Sequence, residues 1–306
     1  MKNRIIQIVQ RLFRILFNRI FKENIEQLIY NQGVINAKLL KMNLNNISKL
    51  SEAEFKVFSQ WGDDGIIQYL INKLKIETKT FIEFGVENYL ESNTRFLLLN
   101  DNWTGLIIDG SQSNIDYIQN DTIYWKHDIT AVKHFINTGN INDILTQNGF
   151  IGDVGILHID IDGNDYWIWK AIEVINPEIV IMEYNSILGC ERALTIPYDP
   201  NFVRGNVHFS NLFAGSSLLS LYDLALEKGY EFVGCNSAGN NAYFIRADIN
   251  KSQIQALDCK GGYIMSKFRE SRNSDGSLNY NSFADRQKIL KDMQFFNTRT
   301  NQIEIF

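Results

Sequence analysis

Residues 81–111 constrain this chain more than any other stretch. Phe81-Ile-Glu-Phe-Gly-Val reads as an apolar strand ending in Glu83 and Gly85, Glu91-Ser-Asn-Thr-Arg-Phe-Leu-Leu-Leu as a helix, and Gly105-Leu-Ile-Ile-Asp-Gly-Ser as a second apolar strand ending in Asp109. Strand, helix and strand at this spacing form a βαβ unit of the nucleoside-binding kind. Glycine lets the backbone approach a ligand closely, and an acid closing the second strand can accept hydrogen bonds from both ribose hydroxyls.

The alternation continues beyond the unit. Strands are expected at residues 80–84, 105–109, 122–125, 154–160 and 178–183, the last bounded in front by Pro177, with helices between them. Two further runs, Tyr230-Glu-Phe-Val-Gly-Cys and Asn241-Ala-Tyr-Phe-Ile-Arg, flank a turn and read as an antiparallel hairpin. The fold class is therefore α/β, a doubly wound, mostly parallel seven-stranded Rossmann-like sheet. Right-handed crossovers then place the carboxyl ends of the first and fourth strands around one crevice. Residues 1–50 read as an N-terminal amphipathic helical arm in two helices, and 51–306 as a single domain. Within that domain, residues 185–216 break the rhythm for too long to be a routine connection and read as a lid-like insertion. The tail from residue 250 onward is expected to pack on the core.

Composition excludes several classes of function. Hydrophobic residues at 45% and charged residues at 21% of 306 are ordinary for a globular protein, so disorder is not the default. The net charge of -5 argues against nucleic acid as the main partner. Cys190, Cys235 and Cys259 form no CxxC pair and fit a reducing, cytoplasmic setting. Residues 1–22 place Ile5, Ile8, Val9, Leu12, Phe13, Leu16, Phe17 and Ile20 on one helical arc, with Arg4, Arg11, Arg14 and Lys22 opposite. Arginines interrupt the run too often for a membrane-spanning helix. The arc instead suits peripheral contact with an anionic membrane, at the inner membrane face, or a docking helix of a homo-oligomer.

Each acid at a strand end has a chemical reading, and together they fit S-adenosylmethionine. Glu83 suits the methionine amino group, and Gly85 leaves room beside it. Asp109 suits the ribose, with Gly110 and Ser111 next to it at the strand tip, and Asp128 suits the adenine amino group. A polar turn carrying Gln60 precedes the first strand and can fold over the ligand. The second dense cluster is His158-Ile-Asp-Ile-Asp-Gly-Asn-Asp-Tyr, in which Asp160 and Asp162 share strand parity and converge on the crevice. These two are the catalytic candidates. With Glu183 and Asn185 at the next strand end, Asp160 offers an all-oxygen site for Mg²⁺; the alternative is a turn and helix cap at Asp162-Gly-Asn-Asp. His208, in the insertion, is the candidate general base, while His134 reads as a surface residue.

The motifs Ser59-Gln-Trp-Gly-Asp-Asp-Gly, Phe81-Ile-Glu-Phe-Gly-Val with Glu91-Ser-Asn-Thr-Arg, Gly105-Leu-Ile-Ile-Asp-Gly and His158-Ile-Asp-Ile-Asp-Gly-Asn-Asp-Tyr resemble the FkbM-type methyltransferases. More narrowly, they resemble the bacterial branch found among genes for surface polysaccharides such as capsule and lipopolysaccharide. The resemblance covers residues 58–290. It implies a class I, S-adenosylmethionine-dependent O-methyltransferase whose acceptor is a sugar hydroxyl, on a glycan or small-molecule substrate. By motif position it puts Glu83, Gly85 and Asp109 at the cofactor and Asp160 at the acceptor. The chain departs from the glycine-rich first loop, carrying Val86-Glu-Asn-Tyr after Gly85. Two rival readings remain: an NAD-dependent oxidoreductase on a nucleotide sugar, against which the absence of GxGxxG argues, and a non-catalytic membrane-tethered scaffold.

Overall fold

A computed structural model describes residues 2–306, with side chains of the first helix described at Gln10, Phe17, Phe21 and from Asn24 onward. Apart from Phe17, which is exposed, the amphipathic arc expected over residues 1–22 therefore lies outside the described side chains. The elements run in chain order as α1 (Lys2–Met42), α2 (Asp63–Leu74), β1 (Thr80–Phe84), α3 (Arg95–Asn100), β2 (Thr104–Asp109), α4 (Gln112–Asn120), α5 (Thr122–Lys126) and β3 (Ile129–Lys133). Next come α6 (Ile141–Gln147), β4 (Gly152–Ile159), α7 (Asp165–Ala171), β5 (Ile175–Glu183), β6 (Leu194–Thr195), α8 (Arg204–Val207) and α9 (Leu218–Glu227). The chain closes with β7 (Tyr230–Cys235), β8 (Asn241–Arg246), α10 (Ala247–Asn250), α11 (Cys259–Gly262), α12 (Phe283–Leu290), β9 (Gln294–Asn297) and β10 (Gln302–Ile305).

The main sheet has seven strands in the order β3-β2-β1-β4-β5-β8-β7. β1 to β5 run parallel, and β8 lies antiparallel between β5 and β7. This is the expected doubly wound, mostly parallel, Rossmann-like sheet. Its order reverses between β1 and β4, the point at which open α/β sheets bind ligands. Strand parity divides the core between the two faces. Ile82, Phe84, Leu106, Ile108, Leu157, Ile159, Val180 and Met182 pack in one apolar cluster, while Phe81, Ile107, Ile156, Ile179 and Ile181 pack in another.

Three elements differ from the sequence reading. The third strand, expected at 122–125, is the short helix α5, because the Asp121 side chain accepts the Ile123 N–H at 3.0 Å and caps a helical turn. The true third strand, β3, begins after it at Ile129. The two helices expected over 1–50 are one continuous helix, α1, whose last turns dock on the domain through buried Ala37 and Leu40. β5 also runs through Pro177, whose missing N–H is harmless because pairing with β8 starts only at Ile179. No helix among the described residues is long and apolar enough to cross a membrane.

Residues 185–216 carry a small core of their own. Ile187, Leu188, Leu194, Ile196, Phe202, Leu212 and Phe213 pack with Leu290 and Phe295 from the tail, and β6 joins β9 and β10 in a three-stranded sheet. The tail thus divides: Cys259 joins the main core, and α12 with β9 supports the insertion. A segment buttressed in this way holds its residues in fixed positions over the ends of β4 and β5.

Candidate functional site

A cleft of about 490 Å³ opens at the carboxyl ends of β1, β2, β4 and β5, a volume within the range of small-molecule sites. Four of the strands deliver an acid to it at or just past the tip: Glu83 from β1, Asp109 from β2, Asp160 after β4 and Glu183 from β5. Gln60 and Gly110 line it as well.

Glu83 is buried and its carboxylate is fully engaged by the chain. It accepts from Ser92 Oγ at 2.6 Å, from the N–H groups of Asn93 (3.0 Å) and Thr94 (3.1 Å) and from Thr94 Oγ1, and it meets His158 Nδ1 at 3.0 Å. A carboxylate offers about four lone-pair directions. Glu83 therefore organises the loop 92–94 and has nothing left for a direct ligand contact. Burial disfavours the charged imidazole of His158, but the Glu83 carboxylate outweighs it, so the net direction of the His158 pKa is upward. On its other nitrogen, Nε2, the ring meets Asn93 Nδ2 at 3.1 Å.

Gly85 has φ +74°, and a Cβ at this position would lie 1.6 Å from the Asp160 carbonyl oxygen. The close neighbour of this glycine is thus the end of β4. The loop that follows, which replaces a glycine-rich one, is drawn in by Asp109: Oδ2 accepts the Glu87 N–H at 2.9 Å, while Oδ1 accepts the Ser111 N–H at 2.7 Å and Asn114 Nδ2 at 3.0 Å. Three of about four acceptor directions are occupied. One remains on Oδ2, at the cleft wall. Ser111 itself does not line the cleft, since its N–H serves Asp109 and its hydroxyl meets Ser113 Oγ at 2.8 Å.

Asp128 does not belong to the site. It precedes β3, bonds Thr104 Oγ1 at 3.0 Å at the start of β2, and so stands at the amino edge of the sheet. Five residues of parallel strand, at roughly 3.3 Å each, separate it from the carboxyl edge. The residues that β3 does deliver to the cleft are His134, Phe135 and Ile136. His134 was read as a surface residue because the strand before it was placed too early.

On the opposite side of the cleft Asp160, Asp162 and Glu183 each offer an oxygen within 4.8 Å of the others. Burial, then the neighbouring Asp162 charge, pushes Asp160 up to about 7. Burial and the Asp160 charge push Glu183 well above the usual carboxylate range. The pair therefore retains a proton near neutrality, as close carboxylates do. Asp162 has φ +58° and takes an ion pair from Arg204 Nη1 at 2.5 Å. The guanidinium also pairs with Glu270 at 2.7 Å and donates from Nε to the Asn211 carbonyl at 2.7 Å.

Asn185 does not join this cluster. The strand ends at Glu183, and Asn185 caps the turn at Ser186–Leu188, accepting the Ile187 N–H and donating from Nδ2 to the carbonyls of Leu212 (2.9 Å) and Ala214 (3.0 Å). His208 is likewise outside the cleft, with Nδ1 on Ser210 Oγ at 2.7 Å and its ring against Phe209. Burial lowers its pKa. The basic residue that the insertion contributes is Arg204. Sequence reasoning also missed Glu270, Asn240 and Asn241, which line the cleft from the tail and from the tip of the β7–β8 hairpin. Within the same wall, Asn164 Oδ1 and Asn241 Oδ1 are buried without a hydrogen-bond partner in the protein.

No family model matches the chain, and no curated protein matches it. Among solved structures, the O-methyltransferase from Bacillus cereus in complex with SAH is 12% identical, with 72% of this chain and 96% of that chain covered at a TM-score of 0.41. The N-terminal domain of EvdMO1 with SAH bound is 9% identical, with coverage of 62% and 81% and a TM-score of 0.41. An S-adenosylmethionine-dependent methyltransferase from Clostridium acetobutylicum is 10% identical, with coverage of 60% and 89% and a TM-score of 0.38.

Proposed function

We propose that the protein is an S-adenosylmethionine-dependent O-methyltransferase acting on a sugar hydroxyl of a surface-polysaccharide precursor. The observation that carries the reading is the division of one cleft at the β1–β4 switch point. One end has Asp109 with a free acceptor direction, and the other has a half-buried, proton-sharing pair, Asp160 and Glu183. Asp109 accepts from one ribose hydroxyl, and the exposed Glu87 beside it in the cleft is suited to the other. The methionine end lies over Gly85 toward Asp160.

In the reaction an acceptor oxygen attacks the sulfonium methyl, the C–S bond breaks to leave a neutral thioether, and the hydroxyl proton passes to the Asp160–Glu183 pair. A group titrating near 7 is suited to that transfer. Holding donor and acceptor in line supplies much of the acceleration, an effect worth about 7 to 11 kcal/mol at best. The oxygens of Asp160, Asp162 and Glu183 also form a donor set that suits a hard cation such as Mg²⁺, which would polarise the acceptor hydroxyl. A polyhydroxylated acceptor is supported by the amide-rich lining that Asn93, Asn164, Asn240 and Asn241 contribute, and by Phe202, which offers an apolar face for a sugar ring.

Isothermal titration with adenosylhomocysteine tests the cofactor half. Binding is expected in the wild type and a loss of at least tenfold in Asp109→Ala, since a hydrogen bond to a charged group is worth about 1.5–3 kcal/mol. Equal affinity in the two proteins would remove Asp109 from the site.

A further inference from the structure

We infer that α1 carries a second binding surface, and that its occupant is α1 of a second copy of this chain, forming a two-helix coiled coil. In the described half of the helix, Phe21, Ile25, Leu28, Gln32, Ile35, Leu39 and Met42 follow one another at alternating steps of four and three residues. That is the 3.5-residue repeat of a knobs-into-holes seam, with Ile25, Gln32 and Leu39 as one set of core positions and Leu28, Ile35 and Met42 as the other.

The six apolar members are all exposed, from Ile25 at 49% to Met42 at 85%. The helix face turned toward this chain's own domain lies directly across the axis. There Gly33 packs so tightly that a Cβ would stand 2.3 Å from Val57, Ala37 and Leu40 are buried, Tyr30 Oη donates to the Leu99 carbonyl at 3.2 Å, and Lys41 approaches Asp101 at 4.0 Å. The seam is therefore free to meet a partner while the helix stays docked.

Three features favour a second copy over a lipid surface. The stripe is narrow, and its flanking positions Asn24, Ile29, Asn31, Asn36 and Lys38 carry a single cation, where a membrane-binding helix would line both edges with them. A polar residue, Gln32, sits inside the stripe, as single polar core residues do when they set the register of a coiled coil. The six side chains leave on the order of 100 Å² each outside, so roughly 600 Å² of each helix would be covered. With their flanks this approaches the ~800 Å² per partner that stable interfaces bury.

Light scattering coupled to size exclusion on the full chain tests the inference. The wild type is expected at twice the chain mass. A chain carrying both Leu28→Glu and Leu39→Glu is expected at the single-chain mass with the same unfolding midpoint for the domain, and Gln27→Glu, off the seam, is expected to remain at twice the mass. A wild type at the single-chain mass at tens of micromolar would overturn the inference, as would a dimer unaffected by the double substitution. So would a monomer that pellets with anionic phosphatidylserine vesicles through these same leucines.

Discussion

At the scale of single residues, positions that looked like ligand contacts turn out to be engaged largely by the chain itself. Gly85 was legible as a position that needs glycine, but the pressure on it comes from the Asp160 carbonyl, which a Cβ would approach to 1.6 Å. Gly85→Ala is accordingly expected to destabilise the protein by about 3 kcal/mol or more, measured by urea unfolding, whether or not a ligand is present. Asp160 has a pH signature. Burial holds its folded pKa up to about 7, so the folded state keeps a proton that the unfolded chain releases near pH 4. The stabilisation from that proton is complete below about pH 4 and is lost as pH rises through 7. Asp64 and Asp165, each pushed up to about 6 by burial, act in the same window. Asp160→Asn is therefore expected to flatten the pH dependence of stability without abolishing it, and to raise stability at pH 8 by about 1–2 kcal/mol in thermal unfolding, while activity falls.

At the scale of elements, what was readable followed from short-range pattern. Short, nearly continuous apolar runs gave β1, β2, β4 and the β7–β8 hairpin, because both faces of the sheet are packed and strand parity divides each run between them. The third strand was lost for a local reason too. Ile123, Tyr124 and Trp125 favour strand by type, yet the Asp121 cap starts a helix there, and Ile129 to Lys133 takes the place in the sheet. Replacing Asp121 with Ala is expected to cost about 0.5–2 kcal/mol, with the loss of α5 seen as faster amide exchange at residues 122–126. The roles of Arg204 and Glu270 had no such local signal. Their meeting over Asp162 depends on how the insertion and the tail pack around Phe213, Leu290 and Phe295, which is long-range information.

At the scale of the whole molecule, the sheet order concentrates acids where the winding reverses, and the insertion with its supporting tail walls off the side of the cleft that holds Asp160 and Glu183. The main architecture and part of the candidate site, Gln60, Glu83, Gly85, Asp109, Gly110, Asp160, Asp162 and Glu183, were visible in the sequence, most of them because strand tips in a parallel sheet share one edge. Asp128, Asn185 and His208 were not separable from them, since a one-element shift in β3 or a cap at the end of β5 decides which edge or face a residue serves. If the Asp160–Glu183 pair takes the acceptor proton, kcat/KM should rise with pH to a plateau above about 7, and Asp160→Asn should abolish that rise. The most direct measurement is the structure of a crystal soaked with adenosylhomocysteine. The ribose should lie within hydrogen-bond distance of Asp109 Oδ2 with the sulfur facing Asp160 and Glu183; a ligand bound away from the β1–β4 crevice, or none bound at saturating concentration, would contradict the assignment.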